Sequence, residues 1–261
     1  MLQQTNYSKN GFTTAFTLNV LSMNIEMPEN YSEEGIRLSL DKYEDKPAKE
    51  SFSSPDIILI LSESFWDPRG LVGTTFSDNP LANFDEIASR KNTYSGKFYV
   101  SVNGGGTVRP EFEVLTGMTT DYLPSGSVPW QYVSRDIPSF VSLYKDLGYH
   151  TVSVHPYLAS FYNRKETYPY VGFDEMYFAD ELAGVSAVEN VIRGLQTSDE
   201  SFVNYLKYFL EQDDETDTPS FLFGISMENH APYAGRFSEL TIQVQNPNLN
   251  ETSLDIEATY V

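Results

Sequence analysis

The stretch DIILILSES, residues 56–64, decides the fold. Its run from Asp56 to Leu61 is short, unbroken and apolar, which suits a strand covered on both faces, and the polar Ser62 and Glu63 follow at once. The rest of the chain keeps a matching rhythm. Asn79 and Pro80 predict a helix through Arg90, with Asn as the N-cap and Pro at the first helical position. Phe98 to Val102 reads as a strand, Thr107 to Leu115 as a helix closed by Gly117, and Pro138 to Leu147 as a helix closed by Gly148. Thr151 to Val154 is the next strand, Ser198 caps a helix running to about Glu211, and Ser220 to Ser226 is another buried-type strand. Strands and helices alternating through short connections predict an α/β fold: a mostly parallel sheet with helices on both faces.

Ahead of this pattern the first fifty residues are polar and irregular, ending in the charged DKYEDKPAKE at Asp41 to Glu50. They read as a connector or surface arm over residues 1–50, leaving residues 51–261 for the folded domain. The acidic loop QDDETDT, residues 212–218, lacks the Asx spacing and central Gly of a calcium loop and reads as a solvated turn.

The composition removes several function classes. With 40% hydrophobic and 14% aromatic residues, including 18 Tyr and 17 Phe, a chain of 261 residues can fill an α/β core and line an aromatic cleft. A formal charge of -20 argues against nucleic acid as a partner, and against adhesion to an anionic membrane by charge alone. The absence of Cys excludes disulfides, thiolate metal sites and cysteine nucleophiles. No run of about 18 apolar residues occurs, and no basic flank precedes an apolar stretch, so neither a spanning helix nor a signal peptide is expected within this chain.

Ligands of an open parallel sheet bind at the carboxyl ends of its strands, where loops and helix N-termini collect. Glu63 follows the first strand, Thr107 the second through the loop NGGG, His155 the third, and His230 in MENHAPY the last. Four chemically capable groups are thus expected on one edge, whereas His150 precedes its strand and belongs at the opposite one. Taken singly, Thr107 also reads as a plain N-cap, Glu63 as a solvated carboxylate, and the histidines as ordinary loop residues. Their coincidence beside the glycines argues for a site. A hydroxyl at a helix start, where free N–H groups and the dipole favour anions, is placed to attack or hold a phosphoryl or sulfuryl group. No Lys follows the glycines as in a P-loop, Gly104, Gly106 and Pro110 fail the dinucleotide pattern, and neither G-x-S-x-G nor H-E-x-x-H occurs. A carboxylate beside a hydroxyl suits a hard divalent cation, manganese or magnesium, which would lower the pKa of the hydroxyl.

The segments SES (Ser62 to Ser64), GGGTVRPEFEVLTGM, HPYLASFYNR and MENHAPY, in this order, resemble the extracellular catalytic domain of lipoteichoic acid synthases. These are phosphoglycerol transferases of the sulfatase-like branch of the alkaline phosphatase superfamily. The resemblance covers roughly Pro55 to the end, and NGFTTAFTLNV is similar to the connector that precedes this domain. It implies a sulfatase-like α/β fold, a bound Mn2+ or Mg2+ ion, and a threonine nucleophile that becomes linked to glycerol phosphate taken from phosphatidylglycerol. It further implies a glycerol phosphate or glycolipid acceptor and a place on the extracellular face of the cell membrane, held there by segments outside this chain. By motif position Thr107 is the nucleophile and a metal ligand, and Glu63 is the other early metal ligand. His155, Arg164 and His230 match residues that hold the phosphate or the glycerol, and Tyr162 stands where the family often has Trp. An arginine fork and histidines suit an anionic phosphoryl group.

The family completes its metal site with an adjacent Asp-His pair on a later strand, and no Asp-His dipeptide occurs here. SLDIEATYV, residues 253–261, resembles the start of the helix that precedes that strand. The fold is therefore expected to be incomplete at its C-terminus, to bind metal weakly without turnover, and to self-associate through an open sheet edge. Three alternatives stay open beside glycerol phosphate transfer: phosphoethanolamine transfer, hydrolysis of a sulfate or phosphate ester, and a noncatalytic sulfatase-like binding module.

Overall fold

The computed structural model describes residues 2–22, 25, 31–41, 54–102, 105–124, 126–214, 217–237 and 240–260. In chain order the elements are α1 (Leu2–Ser22), α2 (Glu33–Leu40), β1 (Ile57–Leu61), β2 (Thr75–Phe76), α3 (Ala82–Ser89), α4 (Val108–Thr116) and α5 (Phe140–Asp146). There follow β3 (His150–Val154), α6 (Arg164–Val171), β4 (Glu175–Tyr177), α7 (Ala179–Ala183), β5 (Ile192–Arg193) and β6 (Gln196–Thr197). The last are α8 (Asp199–Asp214), β7 (Ser220–Ile225), β8 (Val244–Gln245) and α9 (Glu251–Tyr260).

The main sheet runs β1-β7-β3-β4 with every neighbouring pair parallel, so all four strands end on one edge. β7 is central and wholly buried, and successive residues serve opposite layers. Phe221, Phe223 and Ile225 join the core packed by α4, α5 and α6, together with Phe112, Leu115, Trp130, Val141 and Tyr168. Leu222 joins Val152 and Val154 under Leu182 and the α8 residues Phe202, Tyr205, Leu206 and Phe209. Between them Gly224 leaves room for a ring: a Cβ there would stand 2.5 Å from Phe202 Cζ, so α8 sits directly on the strand. This is the expected parallel sheet with helices on both faces.

Several local expectations change. β1 is an edge strand, and its burial alternates: Ile57, Leu59 and Leu61 pack into the α4 layer, while Ile58 and Ile60 are each 47% exposed because α8 does not extend over them. Phe98 to Val102 forms no strand. The segment crosses the surface beside α4, with Phe98 and Tyr99 largely exposed and Ser101 bonded to Glu113 of that helix. Asn79 does not cap α3 directly; its side chain accepts from the Leu81 N–H in a turn, and the helix begins at Ala82.

The acidic run opens inside α8, where Asp213 is buried and takes hydrogen bonds from Ser220 and the His150 ring. The first fifty residues are not irregular throughout. α1 comprises two helical stretches meeting at Gly11, and α2 is capped by Ser32, which accepts from the Gly35 N–H, with Glu33 and Glu34 in its first turn. Residues 42–50 of the charged stretch, and Asn103 and Gly104 of the glycine loop, lie outside the described residues. The helices ended by Gly117 and capped by Ser198 stand as read, the former with Gly117 at φ 70°, and a helix does occupy the last residues as α9.

Candidate active site

At the carboxyl edge the chain leaves β1 at Leu61 and turns at Ser64, a non-glycine residue at φ 59°. Ser226, the residue after β7, accepts from the Glu63 N–H at 3.2 Å and so ties the two strand ends together. Glu63 is 8% exposed, and its carboxylate takes two hydroxyl donors: Ser64 Oγ on Oε1 at 3.1 Å and Thr107 Oγ1 on Oε2 at 2.8 Å.

Thr107 occupies the N-cap of α4 without capping it by its side chain. Gly105 and Gly106, at φ 78° and 80°, double the loop back so that the hydroxyl meets the carboxylate. Glu63 and Thr107 line one cavity of about 660 Å³ whose other walls are mostly apolar, among them Phe65, Trp66, Leu71, Val100 and Val114. The segment expected to be a strand supplies one of those walls.

Beside this pair lies a second, fully buried group. Glu111 is one turn along α4 from Thr107 and 0% exposed. It accepts from Trp130 Nε1 at 2.8 Å, from Tyr168 Oη at 2.7 Å, and from Arg164 through Nε at 3.0 Å and Nη2 at 2.6 Å. Burial and the neighbouring Glu111 charge hold the Tyr168 hydroxyl well above the usual phenol range.

Arg164 opens α6 after two left-handed residues, Tyr162 at φ 59° and Asn163 at φ 65°, and is 2% exposed. Its Nη1 lies 3.1 Å from His155 Nε2, and His155 Nδ1 lies 3.2 Å from the carbonyl of Ile225 at the end of β7. Burial, with the Arg164 charge beside it, pushes the His155 pKa down to about 3.

The structure thus brings Glu63 to Thr107, and His155 to Arg164. Tyr162 covers the guanidinium, its ring centroid 5.2 Å from Arg164 Cζ, and burial raises its phenol pKa. His230 is on the same edge but exposed, with Nδ1 bonded to the Ala231 carbonyl at 2.7 Å. His150 is at the opposite end of its strand, 2.7 Å from Asp213.

The other charged residues of RPEFE hold loops. Arg109 donates to the carbonyls of Thr120 and Pro124, and Glu113 binds Ser101 and Thr120. Burial pushes the Glu113 carboxyl up, but the hydrogen bonds from Thr120 and Ser101 outweigh it and hold the group below the usual range. Glu111, Trp130 and Tyr168 were not singled out from the sequence. The available signal was spacing, since Glu111 falls four residues after Thr107 on the same helix face.

For the implied cation the donor set matches in kind but not in number. Glu63 and Thr107 offer hard oxygens, yet among the described residues no three His, Asp or Glu side chains gather as a metal-holding group. Among the described residues, also, no helix is long and apolar enough to cross a membrane.

Residues 55–258 match the family model described as Sulfatase. The chain is 35% identical over 263 residues to a Rhizobium meliloti (strain 1021) protein assigned to cyclic beta-1,2-glucan modification, covering 99% of this chain and 38% of that one. Among solved structures it is similar to the Streptococcus pyogenes phosphoglycerol transferase GacH in complex with sn-glycerol-1-phosphate. There the TM-score is 0.73 and the identity 27%, over 90% of this chain and 63% of that one. It is also similar to the lipoteichoic acid synthase LtaP from Listeria monocytogenes, with TM-score 0.60 and 26% identity over 79% of this chain and 49% of that one. The chain therefore spans less than two thirds of the length of each of these relatives.

Proposed function

Because the chain belongs to the sulfatase family, we propose that it forms part of a phosphoglycerol transferase that takes glycerol phosphate from phosphatidylglycerol through a covalent Thr107 intermediate. The observation that carries this reading is the Thr107 hydroxyl, turned away from its own helix and onto the buried Glu63 carboxylate at 2.8 Å. Thr107 Oγ1 attacks the donor phosphorus and its proton passes to Glu63 Oε2. The bond from phosphorus to the diacylglycerol oxygen breaks, and that oxygen leaves with a proton from solvent. The apolar cavity beside Thr107 suits the lipid end of such a donor. Glu63 and Thr107 would supply two oxygen ligands to a manganese or magnesium ion, whose chemistry there would be to make the threonine oxygen more acidic.

An acceptor hydroxyl then attacks the phosphorus and loses its proton to solvent, the bond from phosphorus to Thr107 Oγ1 breaks, and Thr107 takes back the proton held on Glu63. A carbohydrate hydroxyl is the acceptor we favour, supported by the relative assigned to glucan modification and by the phosphoglycerol transferase among the structural neighbours. The reaction belongs outside the cell, where such glycans lie. In this reading Arg164, Tyr162, His155 and His230 are the residues that hold the transferred group.

The test is incubation of the full-length protein that contains this chain with phosphatidylglycerol labelled in its terminal glycerol, followed by mass spectrometry of the Thr107 peptide. A glycerol phosphate adduct, absent from Thr107→Ala, is expected. An unmodified Thr107 in a protein that transfers the label overturns the covalent intermediate. Release of free glycerol phosphate without transfer favours ester hydrolysis, the second reading, which the sulfatase family model supports.

A further inference from the structure

We infer that Ser64 is a positioning residue of the transfer site: its hydroxyl orients the Glu63 carboxylate toward Thr107, and a strained turn is kept in order to hold that hydroxyl there. The inference rests on the transferase reading for what Glu63 does. The orientation itself is a property of the free protein.

The torsion next to a glutamate carboxylate is its least fixed one, with broad, roughly two-fold wells, so the plane of the group is set by its partners. The main chain of Glu63 is held by Ser226, which accepts its N–H at 3.2 Å, but that contact leaves the carboxylate free to turn. Thr107 holds Oε2 at 2.8 Å, and Ser64 holds Oε1 at 3.1 Å. When Thr107 Oγ1 attacks, its proton passes to Oε2 and its hold on the carboxylate changes in the same step. Ser64 keeps its own proton on Oγ throughout, so its bond to Oε1 is the one that stays constant while the other oxygen works.

The backbone shows why a serine and no glycine stands here. Side chains of successive residues in an extended chain point to opposite faces and do not meet. Ser64 lies at φ 59°, and this left-handed turn brings its side chain back onto the carboxylate of its own neighbour. The conformation costs any L side chain, whereas glycine adopts it freely. The loop before Thr107 uses Gly105 and Gly106 for the same kind of bend, at φ 78° and 80°. Glycine therefore serves where the fold needs only the turn, and serine stands where a hydroxyl is needed as well. Ser64, Glu63 and Thr107 all line the one cavity in which the lipid end of the donor is placed.

Three substitutions in the full-length protein that contains this chain separate the hydroxyl from the turn. Ser64→Gly relieves the backbone and removes the donor. Its urea midpoint is expected to rise, while kcat for transfer of labelled glycerol phosphate falls about tenfold or more, with KM within about twofold of wild type. Ser64→Ala keeps the strain and loses the donor, so its rate should match that of Ser64→Gly without the gain in midpoint. Ser64→Asn tolerates the left-handed turn and carries N–H donors, and should return kcat to within about threefold of wild type. A residue that merely shaped the turn would move rate and stability in the same direction. Ser64→Gly as fast as wild type overturns the proposal, and so does a midpoint that falls together with the rate. Crystal structures of wild type and Ser64→Gly without lipid supply an arm that needs no turnover. The Glu63 carboxylate of Ser64→Gly is expected to spread over more than one orientation; the single wild-type orientation, unchanged, overturns the orienting role. If wild type transfers no glycerol phosphate, the transferase reading fails, and these structures and the midpoints still decide what Ser64 does to Glu63.

Discussion

Thr107 Oγ1 donates to Glu63 Oε2 across 2.8 Å, joining the start of α4 to the end of β1 over a sequence separation of 44 residues. A threonine at an N-cap ordinarily bonds its own helix, and losing such a cap costs about 1 kcal/mol. Here the hydroxyl is held for another partner. In the full-length protein Thr107→Val should therefore lower transfer of labelled glycerol phosphate by about 10⁴-fold, as removal of a nucleophile does, while shifting stability by no more than about 1–1.5 kcal/mol, the worth of one hydrogen bond. Paired rate and chemical-denaturation measurements check it. Retained activity would remove Thr107 from the chemistry.

The buried pair of Glu111 and Arg164 should be costly to break and cheap to replace. Glu111→Ala strands a guanidinium that is 2% exposed and should destabilise the fold by about 3–5 kcal/mol. Glu111→Met combined with Arg164→Met should cost clearly less than the sum of the single changes. Additive losses in a double-mutant cycle would show that the two charges are not coupled.

His155 sets a pH dependence. Its folded pKa, about 3, lies below the unfolded value of 6.5, so the unfolded chain takes up a proton first as pH falls. The contribution of this residue is fully present above 6.5 and is lost downward from there to about 3, at up to about 1.4 kcal/mol per pH unit. His155→Gln should flatten the urea-denaturation stability profile across that window. An unchanged slope would place the ring in a more solvated setting.

Manganese should bind only weakly, because one carboxylate and one neutral hydroxyl give too few rigid ligands. Isothermal calorimetry is expected to show a Kd above about 1 μM, a binding free energy weaker than about −8.2 kcal/mol. Micromolar or tighter binding that disappears in Glu63→Gln would show that further oxygen ligands complete the site.

The exposed side of β1 should drive self-association, since it combines an unpaired sheet edge with the half-exposed Ile58 and Ile60. Ile58→Lys and Ile60→Lys are expected to lower the light-scattering mass at equal concentration, with stability changed by about 0.5 kcal/mol or less, as for other surface substitutions. A wild-type protein that is already a monodisperse monomer would show that the edge is not sticky.

Much of this architecture was legible from local chemistry. Glu63 and His155 follow strands whose apolar texture is unmistakable, and Gly117 and Ser198 end and begin helices by their own backbone and side-chain preferences. What escaped depends on distant partners. Phe98 to Val102 has the texture of a strand, but whether it pairs is settled by neighbours that texture does not reveal. Nothing local to Glu111 marks it as buried, because Arg164, its counter-charge, lies 53 residues away. Asp213 sat in an acidic run that suggested solvent, yet the end of α8 turns it toward His150 and Ser220. The exposed side of β1 is likewise a matter of how far α8 reaches, which the strand itself does not encode.

Two consecutive residues at the end of β7 serve the two halves of the site: the Ser226 hydroxyl receives the Glu63 N–H, and the Ile225 carbonyl faces the His155 ring. Both halves are therefore referenced to a single peptide link in the most buried strand. A breathing motion that carries β7 along its axis displaces Glu63 and His155 together, so the gap between these two is conserved to first order. Jitter of α4 and α6 enters instead at the contacts that Thr107 and Arg164 make with them, like loose fingers against a gauge cut from one block.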